Sequence, residues 1–394
     1  MMKTIRSWAL TALAAGLLVA CGGGDPPVAG TGSTAGAPTT KGAFTAVVSF
    51  GDSLSDIGAY SPATSLAGNG SAPYFGGKFT VNSATAKVWV ENLAATLGLS
   101  ITPAEVGFAG SSVKCPAAAA PGGASTCTGY GQGGSRVTDP NGIGKATGAL
   151  TVPVRTQIAN HLARFSSFKA SDLVLILVGN NDAFTQFGAF TAAATQIQTD
   201  AATGKISADQ ANVALFQAQN TAEQAMKQAA LELTGYVQSQ ILANGAKYVA
   251  VVTPLDAAAT PFGASLPASV RPVLTVLTDT FNLWLREGLT GQPVQIVSLD
   301  ALIAGAISNP AAAGFTNVTV PACDATKIAA ITGGKVTDGS SLFCNSTAGA
   351  PYNGLRTGAS ATTWLFADGV HPTPGGHKAV SDYVTQQLKS FGWL

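Results

Sequence analysis

Phe44–Phe50 (FTAVVSF) runs without a break into Gly51-Asp52-Ser53-Leu54-Ser55-Asp56. A short apolar run closed by a glycine turn reads as a strand buried on both faces. Its carboxyl end delivers Ser53. Three more runs share this character: Asp172–Val178 (DLVLILV), Lys247–Thr253 (KYVAVVT) and Val294–Leu299 (VQIVSL). The first of these ends at Gly179-Asn180-Asn181-Asp182. Helical patterns lie between them. Thr85–Leu97 carries Val88, Trp89, Leu93 and Leu97 at helical spacing, and Val154–Phe165 reads as a second helix. Ser207 with Gln210 reads as a capping box opening a long Ala/Gln-rich helix to about Ala243, with Gly245 as its C-terminal cap. Pro374–Phe391 closes the chain as a helix, with Pro372 and Pro374 before or at its start. Strands alternating with helices predict an α/β protein, a three-layer α/β/α sandwich around a central parallel sheet. Ligands bind such sheets beyond the carboxyl ends of the strands, so Ser53 and Asn181 are expected on one rim.

The N-terminal residues read as a targeting segment. Lys3 and Arg6 precede an apolar run, Trp8–Ala20, that is shorter than the ~20 residues a membrane span needs. It ends in Leu18-Val19-Ala20-Cys21. Residues 21–42 are mostly Gly, Pro, Thr, Ser and Ala, a composition that cannot bury enough apolar surface to offset ordering, and read as a flexible tether. Residues 43–394 then form one domain. Lys and Arg total 21 against 20 Asp and Glu, for a net charge of +1, and no basic stripe appears, which argues against nucleic acid as a partner. Four cysteines follow Cys21, and four allow three pairings. Cys115–Cys127 and Cys323–Cys344 are favoured, each bracketing a loop rich in small residues. The spacings lack the close paired ligands of a zinc site.

Only three histidines occur, His161, His371 and His377. His161 lies inside a predicted helix and His377 in the C-terminal helix. His371 follows Asp368 by three residues in a Gly/Pro-rich turn, where loops carry functional groups on a rigid scaffold. A serine hydroxyl is a poor nucleophile near neutral pH. It needs a neutral imidazole to take its proton and a carboxylate to fix the tautomer and stabilise the imidazolium. Ser53, His371 and Asp368 supply those groups. No G-x-S-x-G elbow, H-E-x-x-H, Walker A or dinucleotide fingerprint is present, and the chemistry requires no metal or organic cofactor.

Four blocks in order resemble the SGNH hydrolases, specifically GDSL lipases and esterases: Gly51–Asp56, Gly129–Arg136, Gly179–Asp182 (the G-x-N-D block) and Asp368–His371 (D-x-x-H). Lys78–Asn82 and Val88–Val90 are smaller echoes. The resemblance implies a flavodoxin-like SGNH fold. It implies Ser53 as nucleophile, His371 as base and then acid, and Asp368 as its orienting carboxylate. It also implies an oxyanion hole of the Ser53 and Gly134 N–H groups and the Asn181 amide. Two stretches compete for the second block. The family usually has Asn where Gly129 stands, and Gly107–Ser112 looks similar. Gly134 is favoured over Gly110 because Gly133-Gly134-Ser135-Arg136 sits as the family's Gly-Gly-Ala-Arg does. Leu18–Cys21 resembles a bacterial lipobox, implying cleavage before Cys21, lipid on its thiol and an outer-membrane anchor.

Asp52 and Asp56 read as turn and helix-start residues, Asp182 as structural and Arg136 as a solvated surface side chain, with contact to a substrate carboxylate or head group as its alternative. Tyr74, Phe75, Phe184 and Phe187 are candidates to line an acyl pocket. The expected function is a carboxylic ester hydrolase acting on lipid or other acyl esters. A carbohydrate O-acetyl esterase and a non-catalytic binding lipoprotein on the same scaffold are the alternatives. Neutral His371 is required, so kcat/KM should fall toward acid pH; a flat profile from about pH 5 to 8 would count against His371 as base.

Overall fold

The computed structural model describes residues 37–64, 76–347 and 353–394. The expected signal segment, Cys21, Tyr74 and Phe75 lie outside the described residues. Among the described residues six strands form in chain order: β1 (Ala46–Gly51), β2 (Glu105–Phe108), β3 (Ser111–Lys114), β4 (Asp172–Leu177), β5 (Tyr248–Val252) and β6 (Gln295–Val297). Four of them, β1, β4, β5 and β6, make one parallel sheet in the order β1-β4-β5-β6. These are the four apolar runs read from the sequence, each trimmed by a residue or more at one or both ends. Every residue of β4 and β5 is buried, which is why neither alternates polar with apolar. A fully buried aliphatic side chain in such a sheet contributes roughly 1.5–3 kcal/mol.

Helices flank the sheet. Asn180–Ala202, Ala208–Tyr236 and Arg271–Leu289 pack on one another. Trp89–Thr96 and Leu299–Ser308 pack on the C-terminal helix Pro374–Ser390. The Ser207 capping box forms with Gln210, and Gly245, with φ of 97°, ends that helical stretch as expected. Thr373 caps the last helix and Pro374 takes its first position. Arg271–Leu289 and Leu299–Ser308 were not anticipated, nor was the hairpin of β2 and β3, whose strands are too short to show a period.

The free edge of β1 is extended by a single crossing of chain. Ser49 N–H donates to Thr128 O at 2.9 Å and Tyr130 N–H to Ser49 O at 2.8 Å. Gly129 also pairs with the segment at Thr102–Ala104. Part of the stretch read as tether packs on the fold. Gly42 N–H bonds to Trp393 O, Trp393 Nε1 to Pro38 O and Tyr248 Oη to Thr40 O. The last residues of the expected tether are therefore held by the buried C-terminal Trp393 and by β5.

Both disulfides form as paired from the sequence, Cys115–Cys127 and Cys323–Cys344. The second stands in a small core of its own with Val81, Ala322, Ile328 and Ala367. Its cysteines are 21 positions apart, a loop for which chain entropy gives about 3 kcal/mol. Replacing Cys323 and Cys344 together by Ala should lower the unfolding free energy by roughly that amount. Urea titration of the two proteins measures it, and an unchanged midpoint would remove this disulfide from the stabilising interactions.

Candidate active site

β1 ends where a side chain has no room. A Cβ on Gly51 would lie 2.3 Å from Leu177 O, the end of β4, so glycine lets the two strand ends close on each other. Gln157, from helix Val154–Phe165, brackets Gly51: its Oε1 accepts the Gly51 N–H at 2.9 Å and its Nε2 donates to Gly51 O at 2.8 Å. Asp52 then caps a single helical turn, Ser53–Ser55, by accepting the Leu54 N–H at 3.1 Å. Ser53 is the first residue of that turn, where an N–H has no acceptor within the helix.

The other half comes from the far end of the chain. The loop between Leu365 and Thr373 closes on itself, with Ala367 N–H on His371 O and Thr373 N–H on Leu365 O. Within it Asp368 Oδ1 accepts the Val370 and His371 N–H groups at 3.0 and 2.8 Å. His371 Nδ1 lies 2.9 and 2.8 Å from the two Asp368 oxygens, and its Nε2 lies 2.8 Å from Ser53 Oγ. A proton on Nδ1 satisfies the carboxylate and leaves the Nε2 lone pair facing the hydroxyl. Burial pushes the Asp368 carboxyl up. The His371 imidazole, with hydrogen bonds from Ser341 and Val370, outweighs it and holds Asp368 below the usual carboxylate range. The Phe79 ring covers the imidazole, 4.8 Å between centroids.

Asn181 follows β4 and sits in the first turn of helix Asn180–Ala202. Gly51 is opposite Leu177 in the sheet, so Ser53 and Asn181 leave the same rim. The Asn181 amide donates one hydrogen to Ser135 O at 2.9 Å, which orients the group and leaves its second hydrogen for the cleft. Gly134 stands beside them with φ of 80°. A Cβ there would lie 2.0 Å from Ile143 O, so the turn excludes any side chain. Ser53, Gly134, Asn181 and His371 all line one cleft of about 1460 Å³. Gly110, the rival of Gly134, is at the tip of the β2–β3 hairpin and is not part of that lining. The cleft walls are largely apolar, with Phe184, Phe187, Phe262, Leu255, Leu342 and Phe343 among them. The last two belong to the Cys323–Cys344 segment, which thereby forms a wall of the cleft.

The remaining sequence candidates are structural. His161 is buried against the rings of Phe50, Tyr130, Phe165 and Phe168, and burial pushes its pKa down to about 4. His377 is buried too and is pushed down to about 3 by that burial. Its Nδ1 accepts the Trp89 N–H and its Nε2 faces Phe79 O, which locks helix Trp89–Thr96 to the C-terminal helix. Arg136 is not the solvated side chain expected. It pairs with Asp182 at 3.0 Å and Asp139 at 2.6 Å, because the Gly-rich turn before it folds back over the start of helix Asn180–Ala202. Asp56 does more than start a turn: its Oδ2 accepts the Gly133 N–H at 2.9 Å, tying the Ser53 turn to Gly133-Gly134. Sequence reasoning missed Gln157 and Ser341. Neither belongs to a short motif, and their bonds to Gly51 and Asp368 span 106 and 27 positions.

A hydroxyl facing a neutral imidazole backed by a buried carboxylate can be deprotonated as it attacks an electrophilic carbon, with N–H donors alongside to receive an oxyanion. Comparison with known proteins agrees in class. The sequence profile of the family described as GDSL-like Lipase/Acylhydrolase matches residues 47–384. The chain belongs to the GDSL-like lipase/acylhydrolase family, whose members are hydrolases of ester bonds, and its parallel sheet with flanking helices is the fold expected of an SGNH hydrolase. Among solved structures it is similar to an extracellular lipase from Streptomyces rimosus. The match has 13% identity, covers 87% of this chain and 99% of that one, and has a TM-score of 0.34. No curated protein matches the chain by sequence.

Asp52 offers a pH test. It is buried beside Ser53 with Oδ2 unbonded among the described residues, and burial, opposed by the Leu54 N–H, pushes its pKa up to about 7. A folded-state pKa above the unfolded value means that its contribution to stability is full below about pH 4 and is lost as pH rises through about 7. Asn mimics the protonated acid. Asp52→Asn should therefore gain stability over the parent between pH 5 and pH 8, by on the order of 1 kcal/mol or more. Urea unfolding at both pH values reads the difference. An equal difference at the two would mean that Asp52 does not titrate in this range.

Proposed function

We propose that this protein is a serine carboxylic ester hydrolase working through an acyl-enzyme on Ser53. Ser53 Oγ attacks the ester carbonyl carbon while His371 Nε2 takes the hydroxyl proton. The carbonyl oxygen becomes an oxyanion, received by the Ser53 and Gly134 N–H groups and the Asn181 amide. The C–O bond to the alcohol breaks, and His371 returns the proton to the leaving alkoxide. Water then repeats the sequence with His371 as base, releasing the acid and freeing Ser53. Asp368 stays ionised throughout and stabilises the imidazolium.

The observation that carries this reading is the unbroken chain of contacts from Asp368 through His371 to Ser53 Oγ, 2.8 Å at each step. The apolar walls of the cleft support acyl esters with a hydrocarbon chain over a small acetyl group on a polar sugar. Hydrolysis of p-nitrophenyl esters from C2 to C16 tests both statements. Ser53→Ala should lose at least about a thousandfold in kcat, and Asn181→Ala about 10²–10³-fold. Rates should be higher for medium or long chains than for acetate. Turnover unaffected by Ser53→Ala would end the acyl-enzyme reading, and a sharp optimum at C2 would replace the acyl-ester assignment by acetyl-ester hydrolysis.

A further inference from the structure

The hydrogen bonds of Asp368 come from two sources. The Val370 and His371 N–H groups belong to its own loop and move with it. The Ser341 N–H, 2.8 Å from Oδ2, comes from elsewhere in the chain, and among the described residues it is the one hydrogen bond to this carboxylate from outside residues 368–371.

The surroundings of Ser341 hold that N–H in place from three sides. Asn82 Nδ2 donates to Ser341 O and Cys344 O, at 3.0 and 3.1 Å, while its own main-chain N–H bonds to Cys344 O at 2.8 Å. Gly77 N–H bonds to Leu342 O and Ser346 N–H to Asn82 O, so residues 77–82 run zipped to residues 342–346. The same 77–82 segment carries Phe79, whose ring covers His371. The disulfide completes the frame. Cys323 N–H donates to Ala367 O, the residue before Asp368, and Cys323 is bonded to Cys344, three residues after Ser341. Donor and acceptor are thus linked through the disulfide and the Cys323 N–H bond to Ala367 O.

We infer that the Cys323–Cys344 segment is a working part of the active site, and that the main-chain N–H of Ser341 is the group that positions Asp368 against His371. The inference rests on the reading of Ser53, His371 and Asp368 as an acyl-transfer triad. Ser341 is a positioning residue that acts through Asp368. Its side chain takes no part, since Oγ is buried without a hydrogen-bond partner among the described residues.

The local geometry permits a test by two variants. Ser341 opens a short 3₁₀ turn, and Ser340 before it has φ −49° and ψ 126°, the extended conformation a following proline requires. Proline is tolerated at such a first position. Ser341→Pro removes the N–H but sets its Cδ where that hydrogen met Asp368 Oδ2, so it is read together with Asn82→Ala, which loosens Ser341 without adding atoms there; Ser341→Ala, which keeps the N–H, is the reference. Relative to Ser341→Ala, Ser341→Pro should lower kcat on a p-nitrophenyl ester by about tenfold to a hundredfold, with KM changed less than about twofold. The acid limb of kcat/KM should move to higher pH, because a carboxylate short of one donor holds the imidazolium proton more tightly. The low-field proton resonance of the His371–Asp368 hydrogen bond in the unliganded protein should move as well. Asn82→Ala is read for the same two shifts, and alone if Ser341→Pro does not fold. Identical kcat, acid limb and resonance in Ser341→Pro and Ser341→Ala, or unshifted values in Asn82→Ala, overturn the inference. Loss of the triad reading is a separate result, because it appears as turnover independent of Ser53, whereas the proton resonance reports the Asp368 contact without substrate.

Discussion

Parallel hydrogen bonding between β1 and β4 puts Gly51 opposite Leu177, and both strands end there. Everything at the candidate site depends on that alignment. Two strands that stop at one level release Ser53 and Asn181 onto the same rim, although 128 positions separate them in sequence. Glycine at position 51 is what allows the ends to close, since a Cβ would meet the Leu177 carbonyl. Once the rim exists, the loops that surround it need only reach it. The Asp368–His371 loop does so from the start of the last helix, and the Gly133-Gly134 turn does so from beside β1, held by Asp56.

Electrostatics then distinguish residues that composition treats alike. Asp52, Asp56, Asp182 and Asp368 are all buried around this rim, and burial pushes every one toward its neutral form. For Asp52 and Asp56 burial prevails, to about 7 and about 6. It prevails for Asp182 too, despite the Arg136 guanidinium. Only Asp368, of these four, ends below its ordinary value, because an imidazole and main-chain N–H donors converge on its two oxygens. The histidines divide similarly. His161 and His377 are pushed toward the neutral form by burial and serve packing, while His371 has a carboxylate on one nitrogen and a serine hydroxyl on the other.

Much of this was legible in the chain. Apolar runs long enough for a strand, with glycine turns after them, mark buried parallel strands because burial on both faces removes any alternation. The Ser207 capping box and the Gly245 cap were readable because caps satisfy main-chain groups with residues a few positions away. The hairpin of β2 and β3 was not readable, since four-residue strands carry too little period. Arg136 was misread as solvated because its buried partner Asp182 is 46 positions away and becomes its neighbour only when the Gly-rich turn folds back; its other partner, the half-exposed Asp139 three positions on, does not by itself mark burial.

The sequence by itself determined the parallel α/β architecture, the family of the chain and the short list from which a nucleophile, base and carboxylate could be drawn, and it favoured the two cysteine pairings among three. Those features are local: a run, a cap, a spacing of three between Asp368 and His371. Tertiary structure decided the contacts that join distant segments. It set Gln157 around Gly51, Asp56 on Gly133, His377 between two helices, and the Cys323–Cys344 segment against Asp368 as a cleft wall and hydrogen-bond donor. Each of these bonds has a main-chain group at one end, which any residue could supply, so the residue type at that end does not announce it. Only the folded path of the chain specifies which N–H meets which oxygen.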